Sequence, residues 1–309
     1  MAGERAFYSD GFNAYWLMYM ASNPDERSKV VDVLDQASRL GATVVRTWAF
    51  SDGQASNRPL QIIPGVYNEK VFVGLDFVIA EAKKRGIYLI LSLVNNMDNF
   101  GGKKQYVQWA RDRGHYLRSD DDFFSDAVTQ KFYKNHIKRM VTRVNTFTRV
   151  AYKDEPTIFA WTLVRSMSAY VKSVDPNHMV EIGMEGFYGE STPERKRFNL
   201  GQGTAAAPTL SPTTASPPST SATIHFYPDQ WMPGSSSQAQ VEFTKRWMAS
   251  HIEDAATVLG KPLLVAEFGW SARPAATRWR RGTATSACPT TAAVVSQECA
   301  KIASFTPAF

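Results

Sequence analysis

Apolar and polar positions along this chain alternate between two periods, one suited to buried strands and one to amphipathic helices. Phe12 to Leu17 reads as the end of a first strand, and Pro24 with Asp25 opens a helix that runs to about Leu40 and stops at Gly41. Ala42 to Phe50 is the next strand. Glu69 to Arg85 follows as a helix, with Phe72, Leu75, Asp76, Val78, Ile79 and Ala82 on one mostly apolar face and Gly86 at its end. Ile87 to Val94 is a third buried strand, followed by a long loop through Gly101 and Gly102. Phe124 to Val144 reads as helix, Ile158 to Val164 as strand, Ser166 to Val174 as helix and Val180 to Gly186 as a fifth strand. Later, Thr223 to Tyr227 resumes as strand, and Val241 to Leu259 as helix. Leu263 to Ala266 is a fully buried run that stops on Glu267, with Gly269 just beyond.

Strand and helix alternating at this spacing predict a parallel sheet of the α/β class. Five such units before residue 190 favour a (β/α)8 barrel over an open doubly wound sheet. No glycine-rich nucleotide loop follows any strand. A carboxylate at the C-terminal end of a strand suits a barrel enzyme, whose chemistry gathers on that face.

Two stretches break the pattern. Residues 201–222 hold almost no large apolar residue and no charge, and residues 272–289 are rich in Ala, Arg, Thr and Pro. A structureless loop of the first kind is unusual inside a compact domain. A flexible linker is one reading. The other is GC-rich coding sequence read out of frame, because such codons yield Ala, Pro, Arg, Gly, Thr and Ser. A single domain over residues 1–309 is expected, with about seven recognisable strands.

Composition narrows the classes further. Hydrophobic residues make up 44% of the 309, enough for a substantial core, and the net charge of +6 is modest. Arg278, Arg280 and Arg281 make one basic patch, but no nucleic-acid motif accompanies them. Cys288 and Cys299 frame neither a disulfide scaffold nor a metal site. No run is long enough to span a membrane, and the first residues lack the apolar core of a signal peptide. Neither a Schiff-base lysine within a strand nor a phosphate-binding glycine turn after a late strand is present, which argues against an aldolase or phosphatase.

Several ordered segments carry a resemblance. They are Gly11-Phe12-Asn13-Ala14-Tyr15-Trp16, Arg46-Thr47-Trp48-Ala49-Phe50, the Gly101 to Tyr106 loop, Asp120 to Phe124, Asp154 to Ile158, Glu185 to Gly189, His225-Phe226-Tyr227-Pro228 and Ala266-Glu267-Phe268-Gly269. Together they resemble the plant-type endo-β-1,4-mannanases of glycoside hydrolase family 5. The match runs from about residue 6 to 200 and from 223 to 271, and Thr291 to Ala303 looks like the family's final helix.

The resemblance implies a retaining glycosidase, without metal or other cofactor, acting as a monomer on β-mannan polysaccharide outside the cell. Retention requires two carboxyls about 5–5.5 Å apart, one a nucleophile and one an acid/base. By resemblance Glu267 is the nucleophile. Arg46 holds it ionised through charge-assisted bonds, unless it serves only as a structural ion pair. His225 and Tyr227, at i and i+2 on one strand face, would meet the nucleophile and the glycone sugar, although a satisfied core histidine is the plainer reading of His225. Trp48 resembles the family's substrate-contacting tryptophan, with core packing as the alternative.

No acid/base is found. The family continues its fourth strand from Ala-Trp into Glu-Leu-Met-Asn-Glu-Pro, whereas Ala160-Trp161 here leads into Thr162-Leu163-Val164-Arg165-Ser166-Met167 and then helix. Residues 272–289 stand where the eighth strand and its stacking tryptophan belong. Glu185 and Asp98 are left with structural hydrogen bonding. An inactive chain is therefore expected, either a mannan-binding remnant or the product of a damaged or mis-spliced gene.

Overall fold

The computed structural model describes residues 9–200 and 220–269. These fall into two compact units, one ending at Glu181 and one beginning at Ile182. The irregular stretches 201–219 and 272–289, both cysteines, the three clustered arginines and the expected helix from Thr291 to Ala303 lie outside the described residues.

In the first unit the chain enters through β1 (Gly11–Asn13), and after a short helix α1 (Leu17–Ala21) and α2 (Arg27–Arg39) it forms β2 (Val44–Trp48). An unforeseen hairpin follows, β3 (Gln61–Ile63) and β4 (Val66–Tyr67), turning at Gly65 with φ +88°. Then come α3 (Glu69–Lys84), β5 (Tyr88–Ser92), α4 (Gly102–Arg111), α5 (Ala127–Val141), β6 (Ile158–Leu163), α6 (Ser168–Val174) and β7 (Met179–Ile182). The strands make one sheet in the order β1-β2-β5-β6-β7, and the pairs β1–β2, β2–β5 and β5–β6 are parallel. Consecutive placement with helical crossovers is what the alternating periods predicted.

Local chemistry sets the helix ends. Asn68 accepts from the backbone N–H of Lys70 at the start of α3, and Lys83 and Lys84 occupy its last turn, where cations suit the dipole. Asp126 caps α5 by accepting from the N–H groups of Val128 and Thr129. That cap moves the helix start from the expected Phe124 to Ala127, with Asp120–Phe124 forming a 3-10 turn instead. The expected loop from Gly101 to Tyr106 is also corrected. Helix α4 begins at Gly102, which turns Tyr106, Val107 and Ala110 into the core. The two glycines had suggested loop, yet they serve only to start the helix.

One polar residue stands out on the apolar face of α3. Asp76 is fully buried and accepts from Arg143 Nε and a terminal guanidinium nitrogen, from Tyr152 Oη and from both the N–H and hydroxyl of Thr146. Arg143 also reaches Glu69 at 2.7 Å and lies 4.3 Å from the centre of the Phe72 ring. This cluster ties α3 to the segment after α5.

The second unit is smaller. It contains β8 (Ala222–Phe226), α7 (Pro228–Trp231), α8 (Ser237–Asp254) and β9 (Leu263–Phe268), with β8 and β9 paired in parallel. Its core gathers Phe187, Tyr188, Ile224, Phe226, Phe243, Trp247 and Met248. Helix α8 was expected to run to Leu259, but Ala255–Leu259 winds instead as a π turn that ends on Gly260 with φ +58°. Leu263 to Ala266 are half-buried rather than fully buried. Among the described residues β9 has a partner strand on one edge only.

Removing the Asp76 carboxylate would strand a buried guanidinium, a phenol and a main-chain N–H together. Asp76→Ala should lower unfolding stability by about 3–5 kcal/mol, read as a drop in the urea midpoint of the full chain.

Candidate active site

In the second unit β8 brings His225 into register with Glu267 of β9. A shift in register between Ile224 and His225 turns the end of β8 relative to its partner. The ring of His225 is then flanked by carboxylates. Its Nδ1 lies 3.4 Å from Glu185 Oε2, and its Nε2 lies 3.8 Å from Glu267 Oε1. Both separations are within ion-pair range, and neither meets hydrogen-bond geometry. His225 is only 7% exposed, and its backbone is held at both ends. Its N–H donates to the carbonyl of Glu185, and its carbonyl accepts from Trp247 Nε1.

Tyr227 follows the strand, and its hydroxyl donates to Glu267 Oε2 at 3.0 Å. The carboxylate is thus gripped at one oxygen by a phenol, with an imidazole beside the other. Gly269 makes room for this grip, because a Cβ there would stand 3.1 Å from the Tyr227 ring. The strand continues through Phe268 rather than ending on Glu267. Phe268 stacks on Phe226 with ring centres 5.6 Å apart, which extends the pairing past the carboxylate.

The first unit places Arg46 and Trp48 on one face of β2, while Val45 and Thr47 point to the buried side. Arg46 is half-buried and pairs in register with Asn13 and Ile90. Trp48 is also half-buried, with ring centres of Tyr15, Phe50 and Phe100 at 4.9, 5.0 and 5.3 Å. It therefore presents a ring edged by aromatics rather than a fully packed core residue.

Sequence reasoning missed one carboxyl here. Glu181 of β7 is 1% exposed and accepts from the Thr162 hydroxyl at 3.1 Å. Burial pushes its carboxyl up to about 7, against the opposing pulls of Arg46 and Thr162. The signal was the odd charge in the apolar run from Met179 to Ile182, read as strand but not as site.

Several other acids are committed elsewhere. Asp98 lies in an exposed loop and pairs with Lys104 at 3.2 Å. Asp175 holds His178 Nδ1 and accepts from Trp161 Nε1, both at 2.7 Å. Glu155 takes Lys83 and the Thr157 hydroxyl. Glu185, expected to serve in structural hydrogen bonding, instead offers its carboxylate to His225. Among the described residues no group of three or more His, Cys, Asp or Glu side chains could hold a metal ion, and no helix is long and apolar enough to cross a membrane.

Residues 1–288 match the model of the GH family 5 beta-mannosidase-like family. The chain belongs to that family. It is 62% identical to the putative mannan endo-1,4-beta-mannosidase 9 of Oryza sativa subsp. japonica, with 88% of this chain and 69% of that relative covered. It is 52% identical to the mannan endo-1,4-beta-mannosidase 5 of Solanum lycopersicum, over 86% of this chain and 68% of that one. A solved endo-1,4-beta-D-mannanase from Thermotoga petrophila superposes with a TM-score of 0.77 at 28% identity, covering 96% of this chain and 86% of that chain. The fold is accordingly the α/β barrel type of the family 5 mannanases. The chain spans about two thirds of the length of its curated relatives, 69% and 68% for the two plant enzymes.

The buried carboxyl gives this family member a pH signature. Glu181 binds a proton more tightly folded, at about 7, than its ordinary value of 4.5. Between those values the native state holds more protons than the unfolded one, so stability falls as pH rises through the window. The expected loss is about 3 kcal/mol, and Glu181→Gln should remove that part of the slope in urea titrations run across the same pH range.

Proposed function

We propose that the site of this chain is that of a retaining endo-β-1,4-mannanase that has kept its nucleophile and lost its proton donor. In this reading it binds internal segments of mannan, galactomannan or glucomannan without cleaving them. The observation that carries the nucleophile is Glu267 held by the Tyr227 hydroxyl at 3.0 Å, with the His225 imidazole on its other oxygen. A carboxylate held by a phenol one residue before its strand ends suits a nucleophile that must meet an anomeric carbon in a set orientation. Trp48 supplies a ring suited to the apolar face of a pyranose, and Arg46 a cation beside it on the same strand face.

The absent donor is read from the end of β6. Between Thr162 and Val174 there is no Asp or Glu, and the strand passes directly into a 3-10 turn at Arg165–Met167 and then α6. Glu181 has a raised affinity for its proton, but it is buried and bonded to Thr162. General acid catalysis contributes roughly 10²–10⁴-fold, and a sugar alkoxide leaves poorly without it.

Leaving-group chemistry separates the two halves of this proposal. The chain should release no reducing ends from β-1,4-mannan. It should still displace dinitrophenolate from an activated aryl β-mannoside, whose leaving group needs no proton, and should accumulate a glycosyl adduct on Glu267 detectable by mass spectrometry. Glu267→Ala should abolish both turnover and adduct. Turnover surviving in Glu267→Ala would refute the nucleophile, and mannan cleavage by the parent would refute the loss of the donor.

A further inference from the structure

Behind the Trp48 face of the first unit lies a group of buried polar side chains that the proposed chemistry does not use. Asp52 follows β2, bridges to Gln61 and is fully buried. Neither of its carboxyl oxygens has a hydrogen-bond partner among the described residues. The same holds for Gln61 Nε2, the Tyr67 and Tyr133 hydroxyls and both ring nitrogens of His136, seven polar atoms in all.

These groups share one place. The ring of His136 lies 5.9 Å from that of Tyr67 and 6.5 Å from those of Tyr106 and Tyr133. The Tyr106 hydroxyl donates to Gln61 Oε1. Burial holds all three phenols well above their ordinary range, and the nearby Asp52 carboxyl adds to that shift. Burial likewise raises Asp52 well above its ordinary range and brings His136 down to about 3, so the imidazole is neutral near pH 7. A neutral imidazole offers the Asp52 carboxyl no ion pair to repay its desolvation. Seven unmade hydrogen bonds would consume much of a domain's stability margin.

Asp52 also carries the segment that completes the aromatic face. Its N–H donates to the carbonyl of Phe100 at 2.8 Å. Gly101 packs so closely that a Cβ would stand 2.5 Å from the Asp52 carbonyl oxygen. Phe100 itself sits at φ +58°, a left-handed conformation costly for a bulky residue, with its ring edge-on to Trp48 and Tyr15. Something must hold that strained turn in place.

We propose that Asp52, Gln61, Tyr67, Tyr133 and His136 enclose a buried cluster of ordered waters, and that this cluster fixes the turn holding Phe100 against Trp48. Water fits the mixture of donors and acceptors, since each molecule can both give and receive. A cation does not fit, because the unpartnered Gln61 Nε2 and the N–H of the neutral His136 ring both need an acceptor, which a cation cannot supply. Asp52 is thus a positioning residue for the sugar-stacking face, an assignment that rests on the mannan reading for its functional half.

An atomic-resolution crystal structure of the full chain tests the first half directly. Water density bonded to Asp52, Tyr133 and His136 is expected. An empty chamber, or anomalous signal there after a rubidium soak, would overturn the proposal. Titration with mannohexaose tests the second half. Asp52→Asn keeps the shape and a hydrogen-bonding end and should retain parental affinity, whereas Asp52→Leu should weaken binding roughly tenfold, the scale of one lost aromatic contact. A folded Asp52→Leu chain that binds like the parent refutes the positioning role. If that variant does not fold, Tyr133→Phe removes one hydroxyl at nearly constant volume, and an unchanged water arrangement in its crystals refutes the cluster. Failure of the parent to bind mannohexaose counts against the mannan reading, and the crystallographic result then decides the water cluster alone.

Discussion

The imidazole of His225 has a carboxylate at each nitrogen, and its place is dictated by the main chain rather than by charge. The Glu185 carbonyl takes its N–H, and the Trp247 indole takes its carbonyl. Those two contacts lock the end of β8 to the core of its unit. Glu185 and Glu267 flank the ring so placed, and the Tyr227 hydroxyl donates to Glu267. The arrangement therefore gathers both acids around one ring.

Aromatic packing carries the same logic into the rest of that unit. Trp247 lies against Phe187, Tyr188, Trp231, Phe243 and His251, so the indole that anchors His225 is itself fixed by a shell of rings. His251 is buried, with one nitrogen at 2.7 Å from the Trp247 carbonyl and the other at 2.8 Å from that of Gly186. Gly186 is required there by its φ of +102° and by the close approach of Ile224 and Trp247. The first unit solves a different problem by a similar route. Its buried ionisable groups are paired, as Arg143 with Asp76, or hold their proton more tightly through burial, as Glu181 and Asp52 do.

Much of this was legible in the residue pattern. Continuous apolar runs marked β2, β5, β6 and β8, because strands covered on both faces need no polar alternation. The ordered motifs around Arg46, Trp48, His225, Tyr227 and Glu267 pointed to one family, and Tyr227 does meet Glu267. What stayed hidden depended on contacts far apart in sequence. The hairpin at Gln61–Tyr67 is three residues and two residues of strand, too short for a period to register. Helix α4 was masked by its two leading glycines. Asp76 looked like a flaw in an apolar helix face, and only Arg143, distant in the chain, makes it a keystone.

Sequence alone determined the family, the alternating α/β plan and the absence of an acid between Thr162 and Val174, since each is a matter of residue order and local spacing. Tertiary structure alone decided the partnerships. Glu185 was assigned to structural bonding until β8 brought His225 between it and Glu267. Glu181 acquired its high proton affinity only through burial beside Thr162. Asp52 became an enclosed, unpartnered acid only when the hairpin, α4 and α5 closed around it. The physical reason is the same in each case: the energy of a charge or a polar atom depends on what surrounds it, and those surroundings are assembled from residues the chain does not place side by side.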